Sequence, residues 1–385
     1  MTAVLDHPSL GAKIRGVVDD GVTRYFGIKY ATLEHKFDAP HPVDRSTTAD
    51  VIDATKAGPQ APQPPIGIDI EFGFIQQKLD KPPLEISETD CLHLNVFTPS
   101  DIPGIGNLPV LVWIHGGGYA IGQRAERLKT LPFEDLLLKI PPNVPMLAVQ
   151  DNDLIPEVLE FSKLPSAVSG SWCLELLIGD CSLDGMILGE MALGSRSKGI
   201  GKAFAASVRS SFTQKPEVAD AILRSYDIDD SSPVDDKDWV SICKFASEIA
   251  FEATSTAWAE TWLGHGPVYR YFFNEQNPWP GKYQGHATHI LDAVFFLQNF
   301  NEFLNEEQKT TAKRMASDFI SFANGKGVTP SFTKDNLPCV LYGKAGERDT
   351  DRQTGRRTVL TEIVQKEMVS WDELQAAWSN FLQGA

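Results

Sequence analysis

Residues 108–122 read LPVLVWIHGGGYAIG, an apolar run that ends on a histidine and three glycines. The uncharged residues 108–114 are rich in branched side chains, which predicts a β-strand buried on both faces. Gly116, Gly117 and Gly118 then expose consecutive backbone N–H groups that no side chain shields. Such donors can hold an oxygen that becomes negative during acyl transfer, so these glycines are predicted to form an oxyanion hole. A tight turn is the alternative that three glycines after a strand allow.

Strand and helix patterns alternate on either side of this run. Strands are predicted at residues 12–20, 22–31, 92–100, 173–180, 268–275 and 337–344, the first two forming an antiparallel meander. Amphipathic helices are predicted at residues 123–140, 216–228, 238–263 and 370–385, the last with Ser370 as its N-cap. The proline-rich segment 57–70 is predicted to be a loop. The fold class is therefore α/β, in a single domain of residues 1–385 with a β-rich part (about 1–125) and a helical part (about 126–385).

The composition limits the partners of the chain. With 35 basic and 51 acidic residues among 385, the net charge is −16, which repels nucleic acid and anionic lipid. No run approaches the roughly 18 uncharged apolar residues that span a bilayer, and the first residues lack an apolar core of signal-peptide length. The five cysteines are scattered and form no CxxC pair, which predicts reduced thiols and no zinc site. We therefore expect a cytoplasmic protein with neither a nucleic-acid nor a membrane partner.

Four stretches resemble one known family. GIKYATLEHKFDAPHPV (27–43), SETDCLHLNVFTPS (87–100) and LPVLVWIHGGGYAIG follow the order and spacing of the N-terminal half of type-B carboxylesterases. GKYQGHATHILDAVFFLQNFNEF (281–303) is similar to the histidine segment of that family, especially in its fungal intracellular members. The family is the cholinesterase-like branch of the α/β hydrolases. The resemblance implies the α/β-hydrolase fold and a serine esterase that hydrolyses a small-molecule carboxylic ester without a cofactor or metal.

The resemblance further implies a triad of serine, acid and histidine, in which His289 of HATHILDAVF corresponds to the histidine. Family members place this general base just ahead of an acidic residue and an aromatic-rich helix, here Asp292 and Phe295. His286 is the competing position, and we expect it to have a surface or supporting role.

The acid of the triad corresponds to Asp184 in LLIGDCSLDGMI, where the family has an acidic residue before a glycine. Asp180 is the alternative in the same segment. Either carboxylate would orient the imidazole ring and stabilise its cationic form without accepting its proton. If Asp184 has this role, it should lie within about 3.2 Å of His289 Nδ1, and Asp180 should point elsewhere. The remaining alternative is that both aspartates only shape a turn around Gly179 and Gly185.

The nucleophile remains unknown because the sequence contains no G-x-S-x-G pentapeptide, which in this fold forms the strained turn that presents the serine. Ser197 in GSRSKG has Ser195 in place of the first glycine, and Ser171 in VSGSWC lacks both spacing glycines. Cys181 is a weak substitute, because the carboxylates beside it in GDCSLDG would raise the pKa of its thiol.

A block that the family has after the glycines is missing from this sequence. Residues 123–140 follow at once and resemble a helix that the family has after the nucleophile, which places the join near residues 122–126. Loss of the nucleophile strand would open two strand edges, at a cost of about 1 to 3 kcal/mol for each orphaned backbone group. We therefore expect an incomplete α/β-hydrolase fold and a tendency to form homo-oligomers. A non-catalytic or truncated relative with a binding role is the alternative to an ester hydrolase.

The expected α/β-hydrolase fold also predicts where the site lies. Ligands of open parallel sheets bind at the carboxyl ends of the strands. The strand at residues 108–114 is therefore expected in a mostly parallel sheet with residues 268–275 and 337–344. His289 is expected beyond a strand end, within about 15 Å of Gly117 if the two share a substrate.

Overall fold

The computed structural model describes residues 1–36, 38–44, 50–62, 67–81, 85–100, 108–114, 116, 159–167, 173–228, 235–329, 331, 339–343 and 359–384. The chain divides into two compact units. Unit 1 comprises Met1–Gly67 and Asp80–Leu147, and unit 2 comprises Ile68–Leu79 and Ala148–Ala385. Both members of the predicted Asp184 and His289 pair belong to unit 2, which is therefore the unit that positions the candidate site.

Unit 1 is built on short, mostly antiparallel strands. They are β1 (Thr2–His7), β2 (Ala12–Asp19), β3 (Val22–Lys29), β4 (Ala31–Thr32), β5 (His41–Pro42), β6 (Val51–Asp53) and β7 (His93–Pro99). β1, β2, β3 and β7 pair antiparallel in that order, β6 pairs with β2 in parallel, and β4 pairs with β5. Asp20 and Gly21, between β2 and β3, both have positive φ, as a tight hairpin turn requires. The predicted meander is confirmed.

The strand predicted at residues 108–114 does not form. These residues have no regular secondary structure, and Val110, Val112 and Ile114 are 80%, 74% and 85% exposed. A strand is stable only when its backbone N–H and C=O groups pair with a neighbouring strand. Within the described ranges no strand pairs with this segment. The prediction that it lies buried in a parallel sheet with residues 268–275 and 337–344 is therefore wrong.

The described part of unit 2 contains a three-stranded parallel sheet of β8 (Leu176–Cys181), β9 (Val268–Phe273) and β10 (Val340–Tyr342). β9 lies between the other two and pairs with both in parallel. Its sequence VYRYFF is almost wholly buried, which explains a strand without alternating polarity. The predicted parallel pairing of residues 268–275 with residues 337–344 is confirmed.

The remaining elements of the described residues are helical. The α-helices are α1 (Gly67–Ile75), α2 (Leu164–Ala167), α3 (Met186–Leu188), α4 (Ile200–Ser211), α5 (Pro216–Ser225), α6 (Asp235–Ser247), α7 (Ala253–Trp262), α8 (Leu291–Leu297), α9 (Glu306–Ala323), α10 (Val359–Gln365) and α11 (Trp371–Gln383). α6 and α7 are joined by a π-helical turn, Glu248–Glu252, into one longer helix. None of these helices is long and apolar enough to cross a membrane.

Most of the helix predictions agree with the structure, with one correction. Helices form at the predicted residues 216–228, 238–263 and 370–385, and Ser370 and Glu373 form the reciprocal bonds of a capping box. The loop predicted at 57–70 is wrong in its last residues, because α1 begins at Gly67. Ile75 of this helix is buried in the core that contains β9. Such tertiary packing stabilises a helix that the local sequence does not predict. The helix predicted at residues 123–140 lies outside the described residues.

Candidate functional site

Two loops of unit 2 meet just beyond the carboxyl end of β8. The backbone N–H of Leu183 donates to the carbonyl oxygen of Ala287 at 2.8 Å, and Leu183 forms a parallel bridge with Thr288. These contacts extend the β8 and β9 pairing into the loops that follow the strands. They bring Asp184 beside His289, although the two residues are 105 positions apart.

The carboxylate of Asp184 contacts the imidazole ring of His289. Asp184 Oδ1 lies 2.7 Å from His289 Nδ1, so the predicted contact is present. Asp184 Oδ2 accepts a hydrogen bond from the backbone N–H of Cys181 at 2.6 Å, which fixes the carboxylate from its other side. Asp184 is 5% exposed, whereas the side chain of His289 is 30% exposed. Because Nδ1 faces the buried carboxylate, Nε2 is the ring atom left to act on a substrate.

Burial and charge act in opposite directions on this pair. Burial lowers the pKa of His289, but the hydrogen bond and negative charge of Asp184 raise it, with smaller increases from Asp292 and Glu71. The balance holds the pKa of His289 above its ordinary value. Burial raises the pKa of Asp184, although His289 opposes that rise. The ring is therefore a stronger base than a free histidine, and Asp184 stabilises the cation that forms when it takes a proton.

A second carboxylate lies near the ring. Asp292 stands in the first turn of α8, where a negative charge interacts favourably with the helix dipole. Its Oδ2 accepts a hydrogen bond from the Tyr271 hydroxyl at 2.9 Å. Burial raises the pKa of Tyr271 well above its ordinary value, so the hydroxyl stays protonated and remains a donor. Tyr271 on β9 therefore holds in place the acidic residue that the resemblance puts after His289.

The turn that carries Asp184 packs closely against α6. A Cβ atom on Gly185 would collide with the carbonyl oxygen of Cys243 and the backbone nitrogen of Ser247, so only glycine fits there. The N–H of Gly185 donates to Ser247 Oγ at 2.8 Å, and this hydroxyl donates to the Cys243 carbonyl oxygen at 2.8 Å. Ser247 therefore tethers the turn of the acid to the helix.

The π-helical turn that follows Ser247 places an aromatic ring against the base. The ring centroids of Phe251 and His289 are 5.7 Å apart, with planes inclined by 60°. No motif in the sequence predicts Phe251, Ser247 or Tyr271 as part of the site. One pattern in the sequence could have indicated them, namely the four-residue spacing of Ser247, Phe251 and Ser255. This spacing puts the two serine hydroxyl groups on a buried side of the predicted helix.

Asp180 is engaged with other partners. Its Oδ2 accepts a hydrogen bond from Ser255 Oγ at 2.8 Å and lies 3.9 Å from Arg270 Nη2. The guanidinium group of Arg270 also lies over the ring of Phe272, 4.4 Å from its centroid. Asp180 therefore links β8 to α7 and β9, and the contact with His289 belongs to Asp184.

The structure also locates some of the other candidates. The backbone of His286 frames its loop, donating to the Tyr283 carbonyl oxygen at 3.1 Å and accepting from the Asn277 N–H at 2.9 Å. Ser197 is exposed, whereas Cys181 is buried at the end of β8. Gly117, Gly118, Ser171 and the join near residues 122–126 lie outside the described residues, and Gly116 belongs to unit 1.

The described residues of unit 2 also line an open cavity of about 540 Å³. Its lining includes Phe161, Glu248, Glu252, Thr256, Glu260 and Trp371. Neither Asp184 nor His289 lines this cavity, so it is separate from the pair. In the part of the chain that the structure describes, no three histidine, cysteine or acidic side chains are grouped to hold a metal ion.

Comparisons of sequence agree with the resemblance over the first third of the chain. Residues 7–138 match the profile of the carboxylesterase family. The para-nitrobenzyl esterase of Bacillus subtilis (strain 168) is 36% identical over 119 residues, which are 30% of this chain and 22% of that protein. Carboxylesterase 1E of Mus musculus is 34% identical over 115 residues, which are 30% of this chain and 19% of that protein. The matched part of the chain thus spans about a fifth of the length of these curated relatives.

Comparisons of structure extend over most of the chain. A PNB esterase superposes with a TM-score of 0.62 at 18% identity, covering 86% of this chain and 94% of that one. The Geobacillus stearothermophilus carboxylesterase EST55 superposes with a TM-score of 0.62 at 17% identity, covering 88% of this chain and 96% of that one. At these identities the likeness establishes the fold. The chain therefore has the α/β-hydrolase fold, and its residues 7–138 are similar in sequence to the carboxylesterase family.

Proposed function

We propose that this chain hydrolyses carboxylic esters, with His289 as the general base and Asp184 as the residue that orients it. The observation that carries the proposal is the 2.7 Å contact between His289 Nδ1 and the buried Asp184 carboxylate beyond the end of a parallel strand. The carboxylesterase match over residues 7–138 supports the ester as the substrate class. Gly116, Gly117 and Gly118 remain the residues that the family resemblance implies as oxyanion donors.

The nucleophile in this proposal is water, because the sequence lacks the G-x-S-x-G turn that would activate a serine. His289 Nε2 removes a proton from the water as its oxygen bonds to the ester carbonyl carbon. The carbonyl oxygen becomes negative and accepts hydrogen bonds from backbone N–H groups. When the carbon–oxygen bond to the alcohol breaks, the imidazolium returns the proton to the leaving oxygen. The products are a carboxylic acid and an alcohol, and no acyl-enzyme forms.

Turnover of an activated aryl ester, p-nitrophenyl acetate, tests the proposal. Serine proteases that have lost their triad retain roughly 10³ to 10⁴-fold acceleration over water, from the oxyanion hole and binding alone. A positioned general base contributes typically about 10²- to 10⁴-fold, so we expect His289→Ala to be slower than the intact chain by roughly 10²-fold or more. A rate in the intact chain equal to that of His289→Ala would contradict hydrolysis by this pair and leave a binding role.

A fluorophosphonate probe tests the nucleophile separately. Such probes label activated serines, so the intact mass of the treated chain is expected to stay unchanged. Stoichiometric labelling that disappears in His289→Ala would show an activated serine, with Ser171 and Ser197 as the first candidates. That result would overturn the assignment of water and keep the base.

The cysteines, the net charge and the exposed surface support a proposal for the location and the partners of the chain. The five cysteines are all free thiols, which supports a reducing compartment, and we assign the chain to the cytoplasm. The net charge of −16 disfavours nucleic acid and anionic membranes as partners. The exposed apolar residues 108–114 support association of the chain into homo-oligomers.

A further inference from the structure

The long helix formed by α6, the π-helical turn and α7 contacts three points around the candidate pair. Ser247 Oγ accepts a hydrogen bond from Gly185, the residue after Asp184. Phe251 packs against the ring of His289. Ser255 Oγ donates to Asp180 at the end of β8. One helix therefore reaches the turn of the acid, the ring of the base and the strand that precedes the acid.

The π-helical turn makes this alignment possible. Each residue of an α-helix turns by about 100°, so two residues four positions apart differ by about 40° in direction around the helix axis. A row of residues at this spacing therefore moves around the helix by about 160° over 16 residues. Cys243 and Ala259 are 16 residues apart on the long helix. Both nevertheless face the elements that carry the site, because Cys243 contacts Gly185 and Ala259 packs with Val268 of β9. A π-helical turn holds one extra residue, which rotates the following helix back by about 100°. The stripe through Ser247, Phe251 and Ser255 thereby stays turned toward the site.

We infer that Ser247 and Phe251 are positioning residues for the Asp184 and His289 pair, aligned on one helix face by the π-helical turn Glu248–Glu252. Ser247 holds the turn of the acid through Gly185, and Phe251 limits the tilt of the imidazole ring. The inference rests on the proposed function, since it concerns the base named there.

The test follows the Nδ1 proton of His289 in the full chain by NMR. A proton held between Nδ1 and Asp184 resonates far downfield and exchanges slowly with water, and its loss in His289→Gln assigns it. Phe251→Ala is expected to speed its exchange roughly 2- to 12-fold, the factor that corresponds to the contribution of an aromatic pair. Ser247→Ala should act in the same direction. Phe251→Tyr, which keeps the ring, should restore slow exchange.

Phe245→Leu is the matched control on the same helix. Phe245 packs against Phe204, Tyr226 and Trp378 in the core, so the variant lowers stability without removing a contact of His289. We expect its Nδ1 proton to exchange as in the wild type. Unchanged exchange in Phe251→Ala, or an equal increase in Phe245→Leu, would overturn the inference. This signal does not depend on turnover, so failure of the ester assay and failure of the positioning role are distinguishable.

Discussion

At the scale of single residues, the site depends on a balance between burial and one carboxylate. Burial lowers the pKa of His289, and the hydrogen bond and charge of Asp184 outweigh that effect. Because the folded state has the higher pKa, it binds the proton of His289 more tightly than the unfolded chain does. The stability that His289 contributes is therefore complete below about pH 6.5, its ordinary value, and is lost as the pH rises through its folded pKa.

Asp184→Asn is expected to reverse the direction in which folding shifts the pKa of His289. Removing the charge leaves burial as the main influence, so the pKa of His289 should fall below its ordinary value. The loss of stability above about pH 6.5 that is due to His289 should then disappear. NMR titration of the His289 Cε1–H resonance and urea unfolding at several pH values measure both effects.

Asp180→Asn is the control for the removal of a buried carboxylate. Asp180 contacts Ser255 and Arg270, so its variant should leave the titration of His289 close to that of the wild type. An unchanged pKa of His289 in Asp184→Asn would contradict the role of Asp184.

At the scale of elements, the position of the acid depends on how closely its turn approaches α6. The backbone of Gly185 is in the ordinary right-handed helical region, with φ of −60°, so its conformation does not require glycine. The requirement comes from the neighbouring helix, whose backbone atoms occupy the place of a Cβ. The turn and α6 therefore pack so closely that no methyl group fits between their backbones at Gly185.

Gly185→Ala is expected to lower the free energy of unfolding by about 1 to 3 kcal/mol, because the added methyl must push the turn away from α6. Gly194→Ala is the matched comparison, since Gly194 has φ of −53° and no atom within 4 Å of its Cβ position. Its effect should stay within about 0.5 kcal/mol. Urea denaturation of both variants measures the difference, and equal effects would refute close packing at Gly185.

At the scale of the whole molecule, an acidic surface coexists with an exposed apolar segment. The net charge of −16 keeps copies of the chain apart at low salt. Within this segment, residues 110–114 (VLVWI) carry no charge, contain no proline and have high β-propensity, which are properties of segments that pair between chains. Because salt screens the repulsion but not the apolar contact, the two influences respond differently to ionic strength.

We expect the chain to self-associate through residues 108–114, more strongly at high salt. Val112→Lys should shift the chain toward monomer in size-exclusion chromatography with light scattering, because a charge in the segment opposes strand pairing. Ile320→Lys adds the same charge at another exposed apolar position, on α9, and should leave association unchanged. A wild-type chain that stays monomeric at all salt concentrations would contradict the prediction.

The sequence by itself determined the features that depend on neighbouring residues or on recognisable family motifs. Apolar runs identified β8, β9 and β10, amphipathic spacing identified the helices 216–228, 238–263 and 370–385, and Ser370 with Glu373 identified a cap. The motifs around Asp184 and His289 identified a pair that the structure brings to 2.7 Å. These signals are local, so they are readable without knowing the rest of the fold.

Only the tertiary structure decided which strands pair and which side chains distant in the sequence contact each other. The run at residues 108–114 has the composition of a buried strand, but a strand also needs a paired neighbour, and the described residues provide none. Ser247 and Phe251 are ordinary helix residues until packing places them against Gly185 and His289. Strand pairing and side-chain contacts join residues far apart in the chain, and a local pattern contains no information about the distant partner.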